Sequence, residues 1–165
     1  MMKVEIKEAG KEDCQRIMDL AWKIWPEWYE DIIGPEQLSY MLDHIYNPES
    51  LAQQMENGQD FYILQADNAD IGFMALRAGG SMRIEKLYLL PAFRGTGLGS
   101  RLLAFAEKKA AEKNCLRLQL NVNRFNPSLA FYKRHGFKAV ENIDISFGPF
   151  FLNDFVMEKD LPSGR

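Results

Sequence analysis

The residues of this chain best suited to chemistry are Phe93-Arg94-Gly95-Thr96-Gly97-Leu98-Gly99-Ser100, where an apolar strand hands over to a long helix. Glycines at alternate positions, Gly95, Gly97 and Gly99, let the backbone turn tightly and approach a ligand closely. The helix that follows offers free N–H groups and the positive end of its dipole. Arg94 adds a fork of donors suited to phosphate. The stretch is built to hold an anion such as the pyrophosphate of a cofactor. It is not a P-loop, which needs Gly-Lys-Ser/Thr where this chain has Gly99-Ser100-Arg101. Nor is it a dinucleotide turn, which needs parallel β-α-β units and an acid at the end of the next strand. An antiparallel meander leads in here, and the next strand, Leu116-Arg117-Leu118-Gln119-Leu120-Asn121, has no acid.

The elements that must position this loop can be read from periodicity. Lys3 to Lys7 alternates charged and apolar residues, as a half-buried strand does. Cys14 to Trp25 puts Cys14, Ile17, Ala21 and Ile24 on one helical face, with Asp13 as its cap and Pro26 as its end. Pro35 opens a second helix carrying Leu38, Met41, Leu42 and Ile45; Asn47-Pro48 opens a third that Gly58 stops. Phe61 to Ala66, Ile71 to Arg77 and Met82 to Leu90 make an antiparallel meander with turns at 67–70 and 78–81. Gly97 to Lys113 is a long helix with Asn114 suited to the left-handed position after it. A strand from Leu116 to Val122 and a helix from Asn126-Pro127 to His135 follow. Phe137 to Ile145 and Phe151 to Lys159 form a final strand pair around Gly148-Pro149. The prediction is one mixed α/β domain with a seven-stranded sheet.

Composition narrows the function. A chain of 165 residues with 47% apolar content buries a proper core. A net charge of −3, from 20 basic and 23 acidic side chains, argues against nucleic acid as the main partner. Cys14 and Cys115 lie far apart with no CxxC pattern, so they read as free thiols without disulfide or metal. The start, Met1-Met2-Lys3-Val4-Glu5, has no apolar signal core, and no apolar run is long enough for a membrane span. A cytoplasmic location without membrane attachment is the expectation.

Leu87-Tyr88-Leu89-Leu90-Pro91 followed by Arg94-Gly95-Thr96-Gly97-Leu98-Gly99 resembles the central motif of the GNAT superfamily of acyl-CoA-dependent N-acetyltransferases, Arg/Gln-x-x-Gly-x-Gly/Ala. Asn126-Pro127-Ser128-Leu129-Ala130-Phe131-Tyr132-Lys133-Arg134-His135-Gly136-Phe137 resembles the family's second signature. The match is strong over residues 82 to 137. It implies a mostly antiparallel sheet with a splayed central strand pair and helices on both faces. Acetyl-CoA is then the co-substrate, with no metal. The resemblance implies that the backbone of Arg94 to Ser100 holds the pyrophosphate and that Leu87, Tyr88 and Leu89 face the pantetheine arm. Asn126 matches a cofactor-contacting position, although Asn before Pro is also an ordinary helix cap. Tyr132 matches the general acid that protonates the departing thiolate. A phenol with a pKa of about 10 is protonated at neutral pH and can donate; the other reading of Tyr132 is a core aromatic.

The amine nucleophile must lose a proton before attack. Glu85 is the candidate base, directly or through a water. Strand alternation places it with Leu87 and Leu89 on one face. Its other reading is a surface carboxylate paired with Arg83 or Lys86. The resemblance assigns the acceptor pocket to residues 22–46 and 144–154. Trp22, Trp25, Trp28, Tyr29, Tyr40 and Tyr46 interleave there with Glu27, Glu30, Asp31 and Asp43, which suits a small cationic amine. A packed helix pair with a solvated acidic face has the same composition. The layout from Trp25 to Glu49 is loosely similar to bacterial polyamine-type acetyltransferases, and Phe147 to Phe151 reads as a mobile aromatic lip. His44 and His135 stay outside the mechanism. With no base beside either cysteine, direct transfer in a ternary complex is expected over a covalent acyl-enzyme. A peptide acetyltransferase, a non-catalytic CoA sensor and a generic nucleotide-phosphate module remain open, as does a homodimer through the late strands.

Overall fold

The computed structural model describes residues 2–162; Met1 lies outside them. The described residues form seven strands, β1 (Val4–Ala9), β2 (Asp60–Ala66), β3 (Ala69–Ala78), β4 (Met82–Leu89), β5 (Arg117–Asn123), β6 (Lys138–Phe147) and β7 (Phe150–Asp160), and four α-helices. The helices are α1 (Cys14–Ile45), α2 (Pro48–Glu56), α3 (Leu98–Glu112) and α4 (Ser128–Arg134). The strand order is β1-β2-β3-β4-β5-β7-β6, the mixed, mostly antiparallel sheet the sequence predicts. The chain divides into two compact units: residues up to Arg77 with Glu85–Leu102, and Ala78–Ile84 with Leu103 onward.

In the first unit, α1 corrects one expectation. Pro26 does not end the helix, which runs through it. A proline removes one backbone bond, but Ile17, Ala21, Ile24 and Trp25 are all buried, and burial of that face outweighs the lost bond. The break falls instead at Gly34 (φ 81, ψ 161), after which Pro35 starts a second arm with Leu38, Met41 and Leu42 buried. Asp13 holds the position before α1, yet its side chain does not cap it. Its carboxylate accepts from the Gly10 N–H at 2.9 Å and pairs with Arg16 at 2.7 Å. Asn47 does cap α2, its Oδ1 accepting from the Ser50 N–H at 2.8 Å. The β2–β3 turn is tighter than expected, two residues with positive φ, Asp67 and Asn68.

In the second unit, α3 buries Leu103, Ala106 and Ala110 on one stripe and ends at Asn114, which takes the left-handed conformation (φ 59). β5 pairs antiparallel with β7 from Arg117–Asp160 to Asn123–Asp154. The parallel β4–β5 ladder covers only Met82–Leu118, Arg83–Gln119 and Ile84–Leu120, although both strands continue beyond it. The expected aromatic lip is not a loop: β6 and β7 pair right up to Phe147–Phe150, leaving Gly148-Pro149 as a two-residue turn.

Candidate active site

The first unit carries the strand and the anion loop. β4 leaves its ladder at Ile84 and is anchored at its far end by the Leu90 N–H, which donates to the Ile71 carbonyl at 2.8 Å. β3 comes unusually close here. A Cβ on Gly72 would stand 2.5 Å from the Tyr88 carbonyl oxygen and 2.8 Å from Leu89 Cδ2, so only glycine fits. A short turn, Pro91–Phe93, leads into the loop, and the Thr96 hydroxyl donates to the Phe93 carbonyl. Gly95 (φ 74) and Gly97 (φ 85) both need the left-handed region, as their spacing predicts; Gly99 lies inside α3 as a helical residue beside Leu98 and Ser100. The first N–H groups of a helix have no acceptor within it.

Arg94 heads this loop. Its guanidinium carbon lies over the Trp28 ring, 3.7 Å from the ring centroid, and the group donates to the Leu89 carbonyl at 3.4 Å. Its Nε is buried and has no hydrogen-bond partner among the described residues. Burial pushes the Arg94 pKa down, with Glu27 and Tyr29 pulling the other way. A desolvated cation with an unsatisfied donor at the head of a helix fits a phosphate group.

Alternation along β4 sends neighbouring side chains to opposite faces. Glu85 is half-buried and pairs with Arg77 at 3.2 Å. Lys86 goes the other way. It is buried, donates to Gln59 Oε1 at 2.7 Å and has its ammonium 5.2 Å from the centre of the Phe61 ring. Burial pushes its pKa down to about 8. The expected common face of Glu85, Leu87 and Leu89 is only partly kept. Met82, Ile84 and Lys86 are buried in strict alternation, but Leu89 rather than Tyr88 is buried at the end.

The aromatic residues of α1 separate by function in packing. Trp25 and Tyr46 are core, their rings 5.3 Å apart. Tyr29 lies 4.7 Å from Trp25, and its hydroxyl is 3.4 Å from that of Tyr88 on β4. Trp22 ties its Nε1–H to the Tyr46 carbonyl, and Tyr40 stacks on His44. Glu30, Asp31 and Asp43 are exposed and form no ion pair among the described residues.

In the second unit, Tyr132 is buried on α4 with Phe131 and Phe137 edge-on at 5.3 and 5.6 Å. Asn126 precedes Pro127, which holds the cap position of α4, and its side chain closes a local turn ahead of the helix. Its Oδ1 accepts from the Ser128 N–H at 2.8 Å, and the residue is buried. Arg83 donates to Gln119 at 2.7 Å and to Asn121 at 2.6 Å. Asp154 is buried on β7, where burial raises its pKa against the opposing pull of Asn121, Arg124 and Arg83. Cys14 and Cys115 are free, buried thiols, and burial pushes the Cys14 thiol up. Among the described residues no group of three or more His, Cys, Asp or Glu could hold a metal ion. None of their helices is long and apolar enough to cross a membrane.

Sequence reasoning missed Gly72, Lys86, Asp154 and the Trp28–Arg94 stack. Only Trp28 had a signal. Trp28 lies three residues after Trp25 and Tyr29 four after it, so each shares a helical face with Trp25.

A mixed sheet whose parallel ladder stops early, with a strand running on into a glycine turn headed by a partly desolvated arginine, makes an α/β site able to hold an anionic group. The acetyltransferase (GNAT) domain model matches residues 30–153, and the chain belongs to the GNAT acetyltransferase family. It is an N-acetyltransferase. It is 31% identical to a spermidine N(1)-acetyltransferase of Thermoplasma acidophilum, over 98% of this chain and 100% of that one. The crystal structure of a PaiA N-acetyltransferase of Thermoplasma acidophilum in complex with coenzyme A superposes with a TM-score of 0.82 at 29% identity, covering 96% of this chain and 99% of that one. A GCN5-related N-acetyltransferase structure from Rhodopseudomonas palustris reaches a TM-score of 0.85 at 20% identity, over 98% of both chains, a likeness of fold.

Proposed function

We propose that this protein transfers the acetyl group of acetyl-CoA to a small cationic amine, by direct attack within a ternary complex. The observation that carries the co-substrate is Arg94, a half-buried side chain whose buried Nε has no partner among the described residues, beside two left-handed glycines and a helix start. The backbone of Arg94, Gly95, Thr96, Gly97, Leu98, Gly99 and Ser100 would hold the pyrophosphate. Leu87, Tyr88 and Leu89 would offer main-chain groups to the pantetheine arm, along a strand freed from its ladder after Ile84. The structure of the PaiA enzyme in complex with coenzyme A supports coenzyme A as the ligand. The Asn126 side chain already accepts from the Ser128 N–H, and a cofactor contact at this position is supported by the resemblance of its motif alone.

In the reaction, the neutral amine attacks the thioester carbon, a C–N bond forms and the C–S bond breaks. The Tyr132 hydroxyl gives its proton to the departing thiolate sulfur, and the surplus proton on the attacking nitrogen returns Tyr132 to its phenol form as the amide is released. Glu85, or a water bound to it, takes the proton that the ammonium must lose. The Arg77 ion pair holds the Glu85 carboxylate in place. Buried thiols without an adjacent base give no support to an acyl-enzyme.

A cationic acceptor is supported by the exposed Glu30, Asp31 and Asp43, which form no ion pair among the described residues, and by the spermidine acetyltransferase relative. The test is thiol release from acetyl-CoA with spermidine, other amines and free-N-terminal peptides, run beside Tyr132→Phe and Glu85→Gln. Turnover confined to peptides would replace the small-amine reading with a peptide acetyltransferase.

A further inference from the structure

We infer that Trp28 is a positioning residue for the acyl-CoA phosphate site, acting through Arg94; the inference rests on the assignment of the Arg94 loop to the pyrophosphate. Trp25, Trp28 and Tyr29 occupy one face of one turn of α1. Two of them pack on β4: Trp25 and Tyr29 lie 5.7 and 6.2 Å from the Tyr88 ring. The third turns to the loop, where the Arg94 guanidinium stacks on Trp28 at 3.7 Å. One helical turn therefore fixes both the strand that precedes the anion loop and the cation at its head.

The stack addresses a specific problem of that cation. Among the described residues, Arg94 has no carboxylate hydrogen-bonded to it. Its one side-chain bond is the long contact to the Leu89 carbonyl, and its Nε is buried without a partner. A free arginine side chain samples many rotamers and loses that freedom on binding phosphate. The indole face holds the planar guanidinium in a single plane through cation–π attraction, using none of its N–H donors. The donors stay available, and the ring excludes water from one side of the ion. An acid in the same place would hold Arg94 equally well but would compete with phosphate for its donors.

The experiment compares coenzyme A affinity by calorimetry, and kcat/KM with acetyl-CoA and with acetyl-pantetheine, which lacks the pyrophosphate. The variants are Trp28→Ala, Trp28→Phe, Arg94→Ala and the double Trp28→Ala/Arg94→Ala. Trp28→Ala is expected to weaken coenzyme A binding about fivefold, expressed in KM for acetyl-CoA rather than in kcat, with a clearly smaller effect on acetyl-pantetheine. Trp28→Phe keeps a flat ring and should recover most of the loss. In the Arg94→Ala background, Trp28→Ala should add nothing further. Equal losses with both donors would overturn the inference, because the effect would then come from the fold. So would an Arg94→Ala variant that loses affinity beside a Trp28→Ala variant that does not, and that pattern leaves the loop assignment standing. If Arg94→Ala itself binds coenzyme A normally, the loop assignment and the inference fall together.

Discussion

Replacing Lys86 with methionine should make the protein more stable at neutral pH and change how its stability depends on pH. Lys86 is 8% exposed, and its ammonium meets one carbonyl oxygen, that of Gln59, and the face of Phe61. Burial lowers its pKa from 10.5 to about 8, with Glu85 opposing and Arg77 assisting. At 1.36 kcal/mol per unit, the charged form costs the folded state about 3 kcal/mol. The unfolded chain keeps this proton up to about pH 10.5, whereas the folded chain releases it near pH 8. Between those values the unfolded state binds more protons, so this group's contribution to stability rises with pH. The methionine variant lacks that rise. Its advantage over wild type is therefore full below pH 8 and gone by about pH 10.5. Losing the bond to Gln59 leaves its oxygen buried, which offsets on the order of 1 kcal/mol; Lys86→Met/Gln59→Leu removes that penalty. Thermal unfolding from pH 6.5 to 10.5 reads the effect, a change of roughly 6–12 °C in the difference between the Tm values across the window. A difference that stays flat with pH would refute the account of Lys86 as a charge held away from water.

Further predictions follow from other particular contacts. Gly72→Ala should lower stability by about 1–3 kcal/mol in urea titration, because its Cβ would meet the backbone carbonyl of Tyr88, which cannot rotate away. The same variant should weaken coenzyme A binding, since Tyr88 and Leu89 precede the loop. Asp154→Asn should raise Tm at pH 7, and the gain should fade as pH falls through the carboxyl titration. The folded-state pKa of Asp154 is raised by burial, so its charge costs stability above the unfolded value and nothing once it is protonated in both states. Arg94→Ala should weaken coenzyme A about tenfold or more by calorimetry, through loss of charge-assisted bonds.

Much of the fold was legible because it rests on local signals. Asn47 before Pro48, Asn114 at the left-handed position and the glycines of the loop each act within a few residues, and each sits as its neighbours require. Pro26 was misread because the sequence shows the lost hydrogen bond but not the buried face that outweighs it. Phe147 to Phe151 looked like a loose lip because glycine and proline punctuate it. The cross-strand partners that close it lie on a strand whose register the sequence does not show. The loop and the residues flanking it were visible because a glycine turn before a helix has a compact signature. Their long-range partners were not. Lys86 reads as one more surface lysine until Gln59 and Phe61 close over it. Gly72 carries no motif, since its constraint comes from a neighbouring strand. Trp28 was grouped with the acceptor aromatics by proximity in sequence, while its ring went to Arg94.

The central claim, acetyl transfer to a small cationic amine with Tyr132 as proton donor, is tested most directly by thiol release from acetyl-CoA across an amine panel that includes spermidine. The account predicts turnover with polyamine-type acceptors and a large fall in kcat for Tyr132→Phe, with coenzyme A affinity retained. Tight coenzyme A binding with no turnover on any amine, or full activity in Tyr132→Phe, would contradict it.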